Sequence, residues 1–211
     1  NVSMPKVGNV ITTVCKNLLG KLPDKLPSHG TLHRILNEAK FVAQTQIMEY
    51  MEEGGDPSNL QGNTLHSDAT TKFHRHYQGF QVTLPDKEQI SIGLVEVGAG
   101  DAETYLDAFK RAISDIAEAV CSDQSTEQEK KIAALVTSVK NTMGDQGPTN
   151  PQFNKYVQSF REELLPHVVS NWDSLSTAAQ KEIGDMGNYF CKMHLFVNFA
   201  TEADKVLKIN E

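Results

Sequence analysis

The sequence predicts an α/β fold: a mixed sheet of a three-strand antiparallel meander plus a further parallel strand, with flanking helices and an N-terminal helical lead-in. Three observations predict it. Apolar residues recur near the helical period through the first 55 or so residues. From about residue 60 to residue 98 the composition turns β-rich, with turn residues at short intervals. After Asp101 helical periodicity returns, interrupted by one short apolar run.

The lead-in begins with VGNVITTVCKNLLGKL, where Val7, Val10, Ile11, Val14, Leu18 and Leu19 fall close to one helix face. Pro23 and Pro27 break that helix. Ser28 or Thr31 caps the next one, whose apolar positions Leu32, Ile35, Leu36, Ala39, Val42, Ala43 and Ile47 share a face. Gly54 and Gly55 stop it and Asp56-Pro57 opens a loop, which sets the expected division at 1–58 for the lead-in and 59–211 for the main domain.

NTLHSDATTKF, HYQGFQVTL and ISIGLVEVG then read as three strands, with Pro85-Asp86 in the second turn. Asp101 caps a helix through AETYLDAFKRAISDIAEAV, placing Glu103 and Asp107 near its positive end. CSDQSTEQEK reads as a polar loop. IAALVTSV, within KIAALVTSVKNTMGD, reads as the fourth strand, because eight residues are short for a helix. QFNKYVQSFREELLPHVV is an amphipathic helix, and SLSTAAQKEIGDM and NYFCKMHLFVNFATEADKVLKI are two more. A meander, a helix and a further strand is the order of a ribonuclease H-like core, in which the fourth strand lies beside the first.

The chain carries a formal net charge of −7, which argues against gripping nucleic acid by bulk charge and leads us to expect weak or no DNA binding by these residues alone. Three widely spaced cysteines, Cys15, Cys121 and Cys191, point to thiols in a reducing compartment rather than a disulfide framework. No apolar run reaches the ~20 residues of a membrane span. The opening residues carry no secretory pattern, and a chain that starts at Asn1 reads as a fragment of a larger soluble, intracellular protein.

Asp68 stands within the first strand and Asp145 just past the fourth. A carboxylate in a β-rich run needs a partner, and two side by side repel unless a divalent cation neutralises them. Mg²⁺, or Mn²⁺ in its place, takes a few carboxylate oxygens plus water and phosphate, and paired ions activate the attacking oxygen and steady the leaving oxygen of a phosphodiester. Turn residues are the plainer reading of both acids. Cys191 and His194 form a C-x-x-H, a spacing that shares a helix face and offers two of the four ligands Zn²⁺ wants. A packed cysteine beside a hydrogen-bonded histidine is the plainer reading there. Lys72, His74, Arg75 and His76 form a small basic patch able to meet phosphate. The VGAGDAET segment lacks the spacing and lysine of a phosphate loop, so Asp101 reads as a simple cap. Gly144 and Gly147 allow close backbone approach around Asp145.

Together, LHSDATTKF, the VGAGDAET helix entry, KNTMGDQ and NYFCKMH occur in an order that resembles the cut-and-paste DNA transposases and proteins derived from them, nearest the hAT group with its C-x-x-H after the second acid. The resemblance covers roughly residues 60 to 200. It implies a ribonuclease H-like catalytic domain with Asp68 and Asp145 as Mg²⁺ ligands, and a C-x-x-H of Cys191 and His194 that is structural or binds zinc. It also implies DNA as partner, an oligomeric assembly, and nuclear or cytoplasmic location. The third acid of the family lies beyond the C-x-x-H; Glu202 follows too closely and Glu211 ends the chain, so the expectation places it outside these residues. Ala69 stands where the family pattern leads us to expect glycine, and His74 is a second departure. The alternative is a domesticated, inactive DNA- or protein-binding module with the same fold.

Overall fold

A computed structural model describes residues 4–53, 62–121, 126–145 and 147–209. The expected stop at Gly54-Gly55 and loop at Asp56-Pro57 lie outside the described residues. Two compact units divide between Ala43 and Gln44.

The first unit is helical. Helix α1 (Met4–Val14) continues into a π-helical turn, Cys15–Leu19, and ends at Gly20, whose φ of 64° is the left-handed stop a glycine accepts readily. Helix α2 (His29–Glu53) begins where the Ser28 hydroxyl accepts from the Thr31 backbone N–H at 3.1 Å.

The second unit is built on five strands, β1 (Asn63–Lys72), β2 (Arg75–Thr83), β3 (Gln89–Val97), β4 (Val139–Gly144) and β5 (Gly187–Phe190). Their order across the sheet is β3-β2-β1-β4-β5. β1, β2 and β3 form the antiparallel meander, and β4 lies parallel to β1. That agrees with the expected mixed α/β sheet, with β5 added parallel at the far edge. Helices α3 (Ala102–Val120), α4 (Thr126–Ser138) and α5 (Thr149–Val168) pack against one another and against the sheet. Their common core includes Leu65, Phe80, Val82, Phe109, Ile113 and Phe153. The Phe80 and Phe109 rings meet edge to face at 5.5 Å, and Tyr105 and Phe153 meet likewise at 6.3 Å.

Three expectations are corrected. All of IAALVTSV except its last residue, Val139, is the second half of α4, not a strand: Ala133, Leu135 and Val136 are buried at helical spacing, and alanine and leucine favour that state. The second half of the stretch read as a polar loop is helical as well, since α4 starts at Thr126. Asn188, Tyr189 and Phe190, read as the start of a helix, instead form β5. The helix that follows, α7, starts at Lys192 and ends at Ile209.

One buried side chain organises the entry to β4 and β5. Arg161, on α5, is fully buried; its Nε donates to the Thr137 carbonyl near the end of α4, and its guanidinium also reaches the Ile183 and Gly184 carbonyls at the end of α6 (Thr177–Gly184). A cation at a helix C-terminus satisfies carbonyls that have no intrahelical donor. α4 therefore passes straight into β4 without a loop. Lys140, at the start of β4, joins the same α6 end through the Ile183 carbonyl at 2.6 Å.

Candidate functional site

The pairing of β1 with β4 runs to Leu65↔Thr142 and His66↔Met143. The last paired residues, His66 and Met143, each stand two residues before an acid, Asp68 on β1 and Asp145 one residue past the end of β4. Residues 77 apart in sequence thus reach the same end of the sheet. β1 continues beyond this level, where it pairs with β2 alone.

Asp145 is held by its own turn and by α5. Its Oδ1 accepts the Gly147 N–H at 2.8 Å and a short bond from the Asn150 side-chain amide. Asn150 is buried at the start of α5, and its carbonyl oxygen accepts from the Ser67 hydroxyl at 3.4 Å. One amide thereby ties β1 beside Asp68 to β4 beside Asp145. Gly144 makes room for it, because a Cβ there would lie 3.2 Å from the Asn150 nitrogen and 3.5 Å from the Ser67 oxygen. Neither Asn150 nor Ser67 was singled out from sequence; the signal was the pair of glycines flanking Asp145. Asp68 is exposed and accepts no hydrogen bond from any described residue. It lines a groove on the sheet with His66, Thr70, Phe80, Gln81 and Leu94.

Tyr105 stands on the first turns of α3. Burial raises its hydroxyl above the ordinary tyrosine range, and the carboxylates of Asp145, Asp101 and Asp68 raise it further. The phenol therefore stays protonated near neutral pH. Asp101 caps α3 as expected, accepting the Thr104 N–H at 2.9 Å and the Thr104 hydroxyl at 2.8 Å. His66 lies 2.7 Å from the Thr83 hydroxyl, and burial lowers its pKa, so it is neutral near pH 7.

The C-x-x-H brackets this same corner. Cys191 follows β5, and its backbone N–H donates to the Gly144 carbonyl at 2.8 Å, one residue before Asp145. His194 belongs to α7, but its side chain lies outside the described residues. No disulfide joins the cysteines.

The donor set suits a hard cation. Asp68 is uncommitted, and Asp145 keeps its Oδ2 free of bonds to described residues while two N–H donors fix its Oδ1. Among the described residues no three His, Cys, Asp or Glu side chains converge on one point, so this pair offers two ligands. Among them, too, no helix is long and apolar enough to cross a membrane. Compared with known proteins, the chain matches no family model and no curated relative.

Proposed function

We propose that residues 44–211 form a ribonuclease H-like catalytic core of the transposase type, and that Asp68 and Asp145 are its first two Mg²⁺ ligands. The observation that carries this reading is the parallel β1–β4 register, whose last pair, His66↔Met143, lies two residues before each acid. The strand order β3-β2-β1-β4-β5, with only the first three strands antiparallel, supports the same reading. So does the backbone bond from the Cys191 N–H to the Gly144 carbonyl, which joins the first residue of the C-x-x-H to the residue before Asp145.

On this reading the substrate is a DNA phosphodiester. Mg²⁺, when bound, supplies Lewis-acid stabilisation of the charge that builds on the phosphate. The chain's own residues do the positioning. Asn150 and the Gly147 N–H orient Asp145 so that one oxygen faces outward. Asp68 presents a carboxylate from a rigid strand, and sites on strands hold geometry better than sites on loops. A third acid and the basic DNA-reading surfaces belong to the whole protein, as do a nuclear site of action and an oligomeric assembly.

Calorimetric titration with Mn²⁺ tests the proposal. Binding is expected in the intact chain and should weaken at least tenfold in both Asp68→Asn and Asp145→Asn. Equal binding in all three proteins would refute the pairing.

A further inference from the structure

The β1–β2 hairpin turns in two residues, Phe73 and His74, between the paired Lys72 and Arg75. Both have positive φ, 54° and 60°, where hairpins of this type prefer Asn-Gly. A bulky aromatic in the left-handed region is an outlier, and such strain gathers at ligand contacts. Here the strained residue is also the most exposed large apolar side chain of the described residues: Phe73 is 80% exposed. The Lys72 ammonium sits 5.5 Å from its ring centroid. In an antiparallel pair, cross-strand partners and alternate residues share a face. Asp68, Thr70 and Lys72 therefore lie on one face of β1, with Tyr77 and Arg75 on the same face of β2. The tip is basic in a chain whose net charge is −7, and Glu96 is the one carboxylate paired with it among the described residues.

We infer that this tip is a nucleic-acid contact. Phe73 stacks on an unpaired base, Lys72 and Arg75 hold neighbouring phosphates, and the strand is led along the sheet face toward Asp68. Stacking tolerates any base, since each has a π face, while cations hold the backbone. Lys72 is four residues past Asp68 on the same strand face, roughly 13 Å at strand rise. The partner's identity rests on the phosphodiester reading; the contact itself does not need the metal. A contact of this size is weak, as the acidic balance of the chain requires.

The test places a reporter in the turn. Phe73→Trp in a Trp172→Phe background leaves one tryptophan, at the tip. Its fluorescence is titrated with a 15-nucleotide oligo-dT at low salt. Saturable quenching is expected, reversed by roughly 0.5 M NaCl as counterion release demands. Charge reversal by Lys72→Glu with Arg75→Glu should abolish it, with the melting temperature as the control for folding. Phe73→Ala should weaken oligo-dT binding by about fivefold or more, the lower end of what one stacked base contributes. Unchanged tryptophan emission up to millimolar nucleotide overturns the inference, as does quenching that survives charge reversal. Quenching without Mn²⁺ binding at Asp68 and Asp145 would sink the metal reading and leave the contact standing. Mn²⁺ binding without quenching would do the reverse.

Discussion

Asn150 shows how much of the site hangs on a residue that carries no charge. Its amide donates to Asp145 and its carbonyl accepts from Ser67, so it fixes the distance between the ends of two strands. Asn150→Ala leaves the Ser67 hydroxyl without its acceptor and frees the Asp145 carboxylate to rotate. The expected cost is about 1–3 kcal/mol of stability together with weaker Mn²⁺ binding, read by denaturant unfolding and by the same titration. Asn150→Asp would add a negative charge beside Asp145 and should do worse than alanine at neutral pH. Lys140 makes a separate prediction. Burial, then the Arg161 guanidinium, depress its pKa from 10.5 to about 8, although helix carbonyls receive its protons. In the unfolded chain Lys140 holds its proton up to about 10.5, whereas the folded chain releases it from about 8. Between those values the unfolded state binds more protons, so stability rises with pH. Unfolding experiments across that window should show the protein gaining on its Lys140→Met variant, and a flat difference would contradict the depressed pKa.

Elements tell a mixed story about what the sequence makes legible. The three meander strands, the Asp101 cap and the α5 face through Phe153 and Val157 follow from local pattern and were readable. The α4–β4 boundary was not. IAALVTSV is apolar enough for either state, and the choice is made by Arg161, 24 residues beyond Thr137, which caps the helix there. β5 was hidden because GNYF spans four residues and draws its pairing entirely from β4. Asp68 and Asp145 were identifiable as candidates, but the Asn150 bridge needed the fold to bring α5 against both strands. The β1–β2 turn adds a prediction of its own. Replacing Phe73-His74 with Asn-Gly supplies the residues this turn geometry wants and should stabilise the protein by about 1–2 kcal/mol. A gain in stability joined to a loss of oligo-dT binding is the trade expected where strain serves a contact. A loss of stability would mean the turn is not strained.

Across the second unit, the parts serve one arrangement. Arg161 and Lys140 secure the starts of the parallel strands from inside, at the carbonyl ends of α4 and α6. The aromatic contacts of Phe80, Phe109, Tyr105 and Phe153 join β2 to α3 and α5. Tyr105 belongs to that core, and its hydroxyl also feels the charges of Asp145, Asp101 and Asp68. Core and site are thereby coupled: truncating Phe153 to alanine would cost about 3–5 kcal/mol and loosen the Tyr105 wall of the site as well. On the proposed reading, the acidic balance of the chain and the basic hairpin tip have nucleic acid meet this unit locally rather than by long-range attraction. The central claim is that two acids far apart in sequence act as one cation site. A crystal grown with Mn²⁺ and measured at the manganese absorption edge tests it most directly. The account predicts an anomalous peak within ~2.2 Å of carboxylate oxygens from both Asp68 and Asp145, a distance appropriate to a small hard cation. A peak bound by neither acid, or carboxylates too far apart to share an ion, would contradict it.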